Sequence, residues 1–257
     1  MNRINKSKFA GIIPARFASS RFPGKPLAMV GNRTMIQCVY EQALKSLEHV
    51  FVATDDERII KCVEGFGGKA IMTSTDHTSG TDRCYEASEK IETENGLKID
   101  VVINIQGDEP FIKPEQIDQV AECFSDDSVE IATLICKVDL NEDIVNPNQI
   151  KTVITSKGDA LYFSRSAIPF VRDVKIEEWH LRHLFYKHLG LYGYKKETLK
   201  KLTTLARSPL EIAESLEQNR WLENGFRIRT TLTEWDSVGI DTPEDLERTK
   251  DLINDFR

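Results

Sequence analysis

Residues 9–26 read Phe-Ala-Gly-Ile-Ile-Pro-Ala-Arg-Phe-Ala-Ser-Ser-Arg-Phe-Pro-Gly-Lys-Pro. The first half is a short apolar run bounded by Pro14, which predicts a buried parallel strand over 11–14. The second half is a loop of small residues and turn formers that carries Arg16, Arg21 and Lys25. Ala18, Ser19, Ser20 and Gly24 leave room for a ligand to reach backbone amides. Three cations on one loop at the end of a strand make a cradle for a polyphosphate; a solvated turn with incidental charges is the alternative. Pro23 and Pro26 flank Gly24-Lys25 and limit how far Lys25 can wander. The loop is neither a Walker loop nor Gly-x-Gly-x-x-Gly, so the two commonest nucleotide fingerprints are absent.

Downstream of this stretch the chain alternates as a doubly wound sheet requires. Apolar residues at helical spacing (Ile36, Val39, Tyr40, Ala43, Leu44, Leu47) predict a helix over 35–47, followed by a strand at 50–53. Asp56 or Asp55 caps the next helix, which Gly65, Gly67 and Gly68 close. A strand at 70–72, a helix at 81–91 and a β-branched central strand at 101–105 follow. Pro114 starts a helix running to 124, and 131–138 is another strand. The second half is less regular. Strands at 151–155 and 160–164 around Ser156-Lys157-Gly158-Asp159 predict a hairpin insertion. Residues 165–187 receive no assignment. A strand at 188–194, a helix at 209–224 with Leu210, Ala213, Leu216, Trp221 and Leu222 along one stripe, a strand at 227–232 and a helix at 242–253 complete the chain. The expectation is an α/β fold with a mostly parallel sheet, one domain over 1–257 with an insertion at about 139–194.

Bulk properties narrow the function classes. With 257 residues the chain can bury a substantial core. A net charge of −7 argues against a general nucleic-acid binder, and makes the basic loop at 16–25 run against the overall sign. No apolar run approaches bilayer-spanning length, and no membrane or nucleic-acid partner is expected. The polar N-terminus leads straight into a core strand, so no signal peptide is expected. Five scattered cysteines without a Cys-x-x-Cys pair look like buried thiols, in keeping with a cytoplasmic location.

In an open parallel sheet the ligand lies beyond the carboxyl ends of the strands. Gln106-Gly107-Asp108-Glu109-Pro110 follows the strand at 101–105, and a carboxylate there suits a hard cation such as Mg²⁺; Asp108 and Glu109 as solvated turn formers are the alternative. Near the C-terminus, Thr242 can cap the last helix, with Pro243 first in it and Asp245 closing a capping box. That leaves Asp241 without a structural task, so it could give the same metal a second carboxylate. In His77-Thr78-Ser79-Gly80-Thr81-Asp82-Arg83, Ser79 or Thr81 can cap the helix that follows, with a loop that holds a base edge or ribose hydroxyl as the alternative. Arg165 could grip a carboxylate bidentately. Glu211 and Glu214 could accept from sugar hydroxyls or be surface charges, and His188 could be a site residue or a satisfied core one.

Taken together, these motifs resemble the 3-deoxy-manno-octulosonate cytidylyltransferase (CMP-Kdo synthetase) family. The resemblance runs through Ile13-Pro14-Ala15-Arg16, Ser20-Arg21-Phe22-Pro23-Gly24-Lys25-Pro26, Val52-Ala53-Thr54-Asp55 and the segment 77–83. It continues through the segment 106–110, Tyr162-Phe163-Ser164-Arg165, the segment 188–194, Ser208-Pro209-Leu210-Glu211 and the segment 239–245. It implies a Rossmann-like nucleotide-diphospho-sugar transferase fold. It also implies a cytoplasmic homodimer that transfers CMP from CTP to the anomeric hydroxyl of Kdo, for lipopolysaccharide biosynthesis. Carried over by position, Arg16, Arg21 and Lys25 hold the triphosphate, and Asp108 and Asp241 bind Mg²⁺. Ala15, Ala53, Thr54, Asp55, Ser79, Gly80, Thr81 and Arg83 line the nucleotide, while Gln106, Arg165, His188, Tyr192, Glu211 and Glu214 face Kdo. Asp82 stands where Glu is usual and Lys187 where Arg is usual, and residues 170–187 match poorly. The rivals are a sister enzyme for another acid sugar such as sialic acid, and a non-catalytic CTP sensor. A dehydrogenase is disfavoured by the missing dinucleotide fingerprint.

Overall fold

The computed structural model describes residues 4–19, 21–138, 144–236, 238–249 and 252. Ser20, the start of the expected insertion at 139 and the expected helix end at 253 lie outside them. The first strand, β1 (Phe9–Ala15), is buried on both faces. Phe9, Ile13 and Ala15 enter one apolar cluster while Ala10 and Ile12 enter another. This period-two division is what a strand sandwiched between two helical layers produces.

A two-stranded ribbon, β2 (Met29–Val30) with β3 (Arg33–Thr34), leads into α1 (Met35–Leu44), whose N-cap Thr34 accepts from the Gln37 amide. Then come β4 (His49–Thr54), α2 (Glu57–Gly65), β5 (Ala70–Met72), α3 (Gly80–Asn95), β6 (Val101–Asn104), α4 (Pro114–Glu122) and β7 (Ile131–Lys137). Asp56, not Asp55, caps α2. The remainder comprises β8 (Lys151–Ile154), β9 (Ala160–Ser164), β10 (Tyr186–Lys195), α5 (Lys196–Thr203), α6 (Pro209–Glu214), α7 (Glu217–Glu223), β11 (Ile228–Thr233) and α8 (Pro243–Arg248).

The main sheet runs β11-β7-β10-β6-β1-β4-β5, and β8 and β9 extend it from β10. Pairings β1–β4, β1–β6, β4–β5 and β7–β11 are parallel; β10 is antiparallel to both neighbours. Helices α1, α2 and α4 cover one face, and α3, α5 and α7 the other. The chain leaves β1 for β4 and β5 on one side, then returns to β6 on the other. That reversal opens a crevice beyond the carboxyl ends of β1 and β6, the usual ligand position in such sheets.

Several expectations are corrected. The helix expected over 209–224 is two helices, because Ser215 takes a left-handed conformation at φ 52° between α6 and α7. Leu216 is thereby buried, whereas Leu210, expected on the same stripe, stays exposed. Helix α5 and the β2–β3 ribbon were not expected. The strand expected at 188–194 extends over ten residues and lies centrally in the main sheet, though all but its last residue belong to the 139–194 segment.

Candidate nucleotide-binding site

Three loops meet beyond the switch point, and a small apolar cluster ties them together. Val30, Met35, Cys38, Phe111 and Ile240 form it, with Phe22, Val238 and Leu246 packed against it. Phe22 adjoins Arg21, Phe111 follows Asp108 in the same loop, and Ile240 precedes Asp241. Each charged residue therefore stands beside a hydrophobic anchor. The Ile240 amide also donates to the Asp108 carbonyl at 2.9 Å, which joins the C-terminal loop to the one after β6.

The basic loop is held by its own backbone. Gly24 donates to the Phe17 carbonyl at 3.0 Å and Lys25 to that of Phe22 at 3.1 Å. Gly24 has φ 71°, a left-handed turn that favours glycine. The Arg58 guanidinium stacks 3.3 Å above the Phe17 ring centroid. The loop opens on a cavity of about 410 Å³ lined by Ala15, Arg16, Arg21, Lys25, Gln106 and Asp108, among others. Gly107 passes close to β1: a side chain there would put its Cβ 3.0 Å from the Pro14 carbonyl oxygen.

Asp108 and Asp241 converge on one cation. Lys25 Nζ lies 2.6 Å from Asp108 Oδ2 and 3.1 Å from Asp241 Oδ1. The two carboxylate oxygens are therefore no further apart than the sum of those contacts. Arg21 Nη1 reaches Asp241 Oδ2 at 2.9 Å. The capping box forms as expected, with Asp245 Oδ2 accepting from the Thr242 amide at 3.0 Å and Thr242 Oγ1 from the Asp245 amide at 3.2 Å. Asp245 also accepts from the Asp241 amide, leaving the Asp241 carboxylate to face the basic loop. Among the described residues no three Asp, Glu, His or Cys side chains form a metal cluster. A pair of carboxylates already sharing one cation is nonetheless a donor set that suits Mg²⁺, which binds through one or two carboxylates plus substrate phosphates.

The residues expected near the nucleoside divide in two. Ser79 caps α3, accepting from the Asp82 amide at 3.1 Å, and Gly80 packs against Pro14. Arg83 is buried: its Nη2 donates to Asp55 Oδ2 at 2.7 Å and its Nη1 to Thr73 Oγ1 at 2.5 Å. That pair braces the end of β4 against α3, and Ala53 and Thr54 are buried beside it. Thr81 is buried as well, and its hydroxyl donates to Glu217 Oε2 at 2.8 Å.

Around the other rim, Gln106 Nε2 donates to the Gly190 carbonyl at 3.0 Å. The antiparallel course of β10 causes this, because residues ahead of Tyr192 emerge beyond the carboxyl end of β6. Part of His188 reaches the surface, but its ring lies 5.0 Å from that of Phe163 and 5.1 Å from that of Tyr192. Desolvation lowers its pKa to about 3, so the imidazole stays neutral, with Nε2 3.0 Å from Thr133 Oγ1. Arg165 donates from Nε to the Glu214 carbonyl at 2.7 Å and from Nη1 to that of Pro147 at 2.9 Å. Glu214 accepts from the hydroxyls of Tyr162 and Ser164 and the Arg165 amide. Glu211 closes a capping box on α6 and faces Arg220 at 3.4 Å.

Glu217, which no sequence motif marks, accepts from Thr81 and pairs with Arg220 Nη2 at 2.6 Å. Burial raises its carboxyl pKa, which the Thr81 hydroxyl partly offsets. It lies near Tyr192, whose buried hydroxyl has no hydrogen-bond partner among the described residues. The Leu-Glu-Gln-Asn turn holding it carries no motif; only its apolar neighbours Leu216 and Trp221 mark that face as inward.

A parallel-sheet crevice with a basic loop on one wall and paired aspartates on the other defines a nucleotide-handling transferase class. Residues 10–229 match the family model described as cytidylyltransferase. The chain is 53% identical over 249 residues to 3-deoxy-manno-octulosonate cytidylyltransferase of Bacteroides thetaiotaomicron, covering 96% of this chain and 98% of that one. The enzyme of the same name from Parabacteroides distasonis is 54% identical over 245 residues, covering 94% and 96%. A solved structure of CMP:2-keto-3-deoxy-manno-octonic acid synthetase complexed with CTP superimposes with a TM-score of 0.87 at 40% identity, covering 97% of this chain and 99% of that one. The chain belongs to the 3-deoxy-manno-octulosonate cytidylyltransferase family and has that family's nucleotide-diphospho-sugar transferase-like α/β fold.

Proposed function

We propose that this protein transfers CMP from CTP to the anomeric hydroxyl of Kdo, giving CMP-Kdo and pyrophosphate for lipopolysaccharide biosynthesis. One observation supports this above the others: Asp108 and Asp241, 133 residues apart in sequence, share a cation at the mouth of the basic loop. The sugar hydroxyl attacks the α-phosphorus in line. Its new oxygen–phosphorus bond forms as the bond from the α-phosphorus to the oxygen bridging the β-phosphate breaks; that oxygen leaves with the pyrophosphate, and the hydroxyl proton passes to solvent. Such a transfer asks the protein for positioning and charge neutralisation more than covalent help. Arg16, Arg21 and Lys25 offset the charge that builds on departing pyrophosphate. Ser79 and Gly80 border the nucleoside. Gln106, Arg165, His188, Tyr192, Glu211 and Glu214 remain the candidates for the sugar side, with Arg165 suited to the Kdo carboxylate. Neutral His188 can exchange a hydrogen bond with a sugar hydroxyl without adding charge.

Asp108 and Asp241 would hold Mg²⁺. When bound, it neutralises phosphate charge and polarises the phosphoryl group. We place the reaction in the cytoplasm, where the free thiols Cys38, Cys62, Cys84, Cys123 and Cys136 suit a reducing compartment. Among the described residues no helix is long and apolar enough to cross a membrane. A homodimer formed through the 139–194 segment is supported by its exposed Leu161, Phe170, Leu181 and Leu184.

A pyrophosphate-release assay with CTP, Mg²⁺ and a panel of acid sugars tests the reading. Release with Kdo is expected to exceed release with sialic acid. Preference for sialic acid would make the protein a sister enzyme, and CTP binding without release would make it a sensor.

A further inference from the structure

Lys25 has two tasks that it cannot perform at once. The function above gives it to the triphosphate, yet its ammonium is engaged by Asp108 and Asp241 at 2.6 and 3.1 Å. On that reading of the loop and the aspartates, we propose that Lys25 is a displaceable stand-in cation. Without nucleotide it occupies the seat between the two aspartates and keeps a divalent ion out. An arriving triphosphate draws the ammonium away and opens the seat, so metal and nucleotide enter together.

Electrostatics requires a cation there. Two carboxylates brought this close repel, and a positive charge between them removes the repulsion. Arg21 pairs with Asp241 through its other oxygen, so among the described residues Lys25 is the group that bridges the pair. A lysine suits an exchangeable post, being a compact charge on a flexible four-carbon stem. The backbone beneath it is pinned by the Gly24 turn, by the bond from Lys25 N to the Phe22 carbonyl and by buried Pro26. Movement is thus confined to side-chain torsions, and the cavity into which the ammonium would turn is the one that Arg16, Arg21 and Lys25 line. A divalent ion and the ammonium cannot share so small a seat without strong like-charge repulsion. The ligand that removes Lys25 therefore raises metal affinity, and by linkage the metal raises nucleotide affinity by the same factor.

The test uses Mn²⁺ alone as a probe, titrated by electron paramagnetic resonance into nucleotide-free full-length protein. Lys25→Met and Lys25→Gln are expected to bind Mn²⁺ about tenfold more tightly than the wild type, within the ordinary range of coupling between sites. Adding Asp241→Asn to either variant should abolish the gain. Mn²⁺ should also raise the melting temperature of either variant more than that of the wild type. No gain in the variants that fold, or a gain that survives Asp241→Asn, overturns the stand-in role. Should one substitution prevent folding, the other decides. Wild-type pyrophosphate release from CTP and Kdo, measured in parallel, separates the two ideas. Turnover without a gain in Mn²⁺ affinity removes only the stand-in role; no turnover removes the functional reading, whatever Mn²⁺ does.

Discussion

Asp241 stands one position ahead of a capped helix, and the cap explains why its carboxylate is available. Thr242, Pro243 and Asp245 satisfy the start of α8, and Asp241 turns to Lys25 and Arg21. Replacing Asp108 or Asp241 by Ala is expected to lower kcat/KM by about three orders of magnitude, the scale of losing a group that stabilises transition-state charge. Circular dichroism should show the fold intact, since both carboxylates are partly solvent-exposed. Near-normal turnover would remove that residue from the metal site. Arg165→Ala should raise the KM for Kdo more than it lowers kcat; an unchanged KM would defeat that assignment. His188 makes a pH prediction. Its folded pKa is near 3 and its unfolded value near 6.5. Below about pH 6.5 the unfolded chain takes up a proton that the native ring refuses, so stability falls as pH drops from there toward 3. His188→Gln should lose less stability than the wild type between pH 7 and pH 5, read from urea midpoints.

At the scale of elements, the close approach of sheet and helix sets a strict limit at Gly193. A Cβ there would lie 2.6 Å from Phe124, 2.9 Å from Val120 and 3.1 Å from Ile103. Gly193→Ala should therefore cost about 1–3 kcal/mol, as overpacking does, measurable by urea denaturation. Elements buried on both faces were legible in sequence: β1, β4 and β6 announce themselves as apolar runs ending in polar loops. The cap before α8 was legible too, because its chemistry is local. The break at Ser215 was not, because a left-handed serine leaves no pattern and the apolar spacing runs through it. Helix α5 leaves a weak sequence signal: Leu199 and Leu202 mark its buried side, but its lysines dilute the pattern over only eight residues. The β2–β3 strands are two residues each, too short for any periodicity. In the site, the meeting of the basic loop with both aspartates follows from their places beyond strand ends and, for Asp241, from a helix cap that leaves it without a structural task. Arg83 could not be read so: its sequence neighbours suggest a ligand contact, while tertiary packing pairs its guanidinium with Asp55.

For the whole molecule, β10 is the strand that joins the halves. It lies antiparallel between β6 and β7 and also pairs with β8, so the segment holding His188 and Gly190 is delivered to the crevice by the same strand that anchors the β8–β9 hairpin. A homodimer seated on that hairpin region predicts that Phe170→Asp with Leu181→Asp yields a monomer in sedimentation equilibrium. A double variant that keeps the wild-type mass would move the interface elsewhere. The central claim concerns the meeting of Asp108 and Asp241 opposite the basic loop. Anomalous diffraction from crystals grown with Mn²⁺ and CTP tests it most directly. A Mn²⁺ peak touching a carboxylate oxygen of both aspartates, with Lys25 turned onto the phosphates, is the expected result. Mn²⁺ bound only to phosphate oxygens, with both aspartates still paired to Lys25, would contradict it.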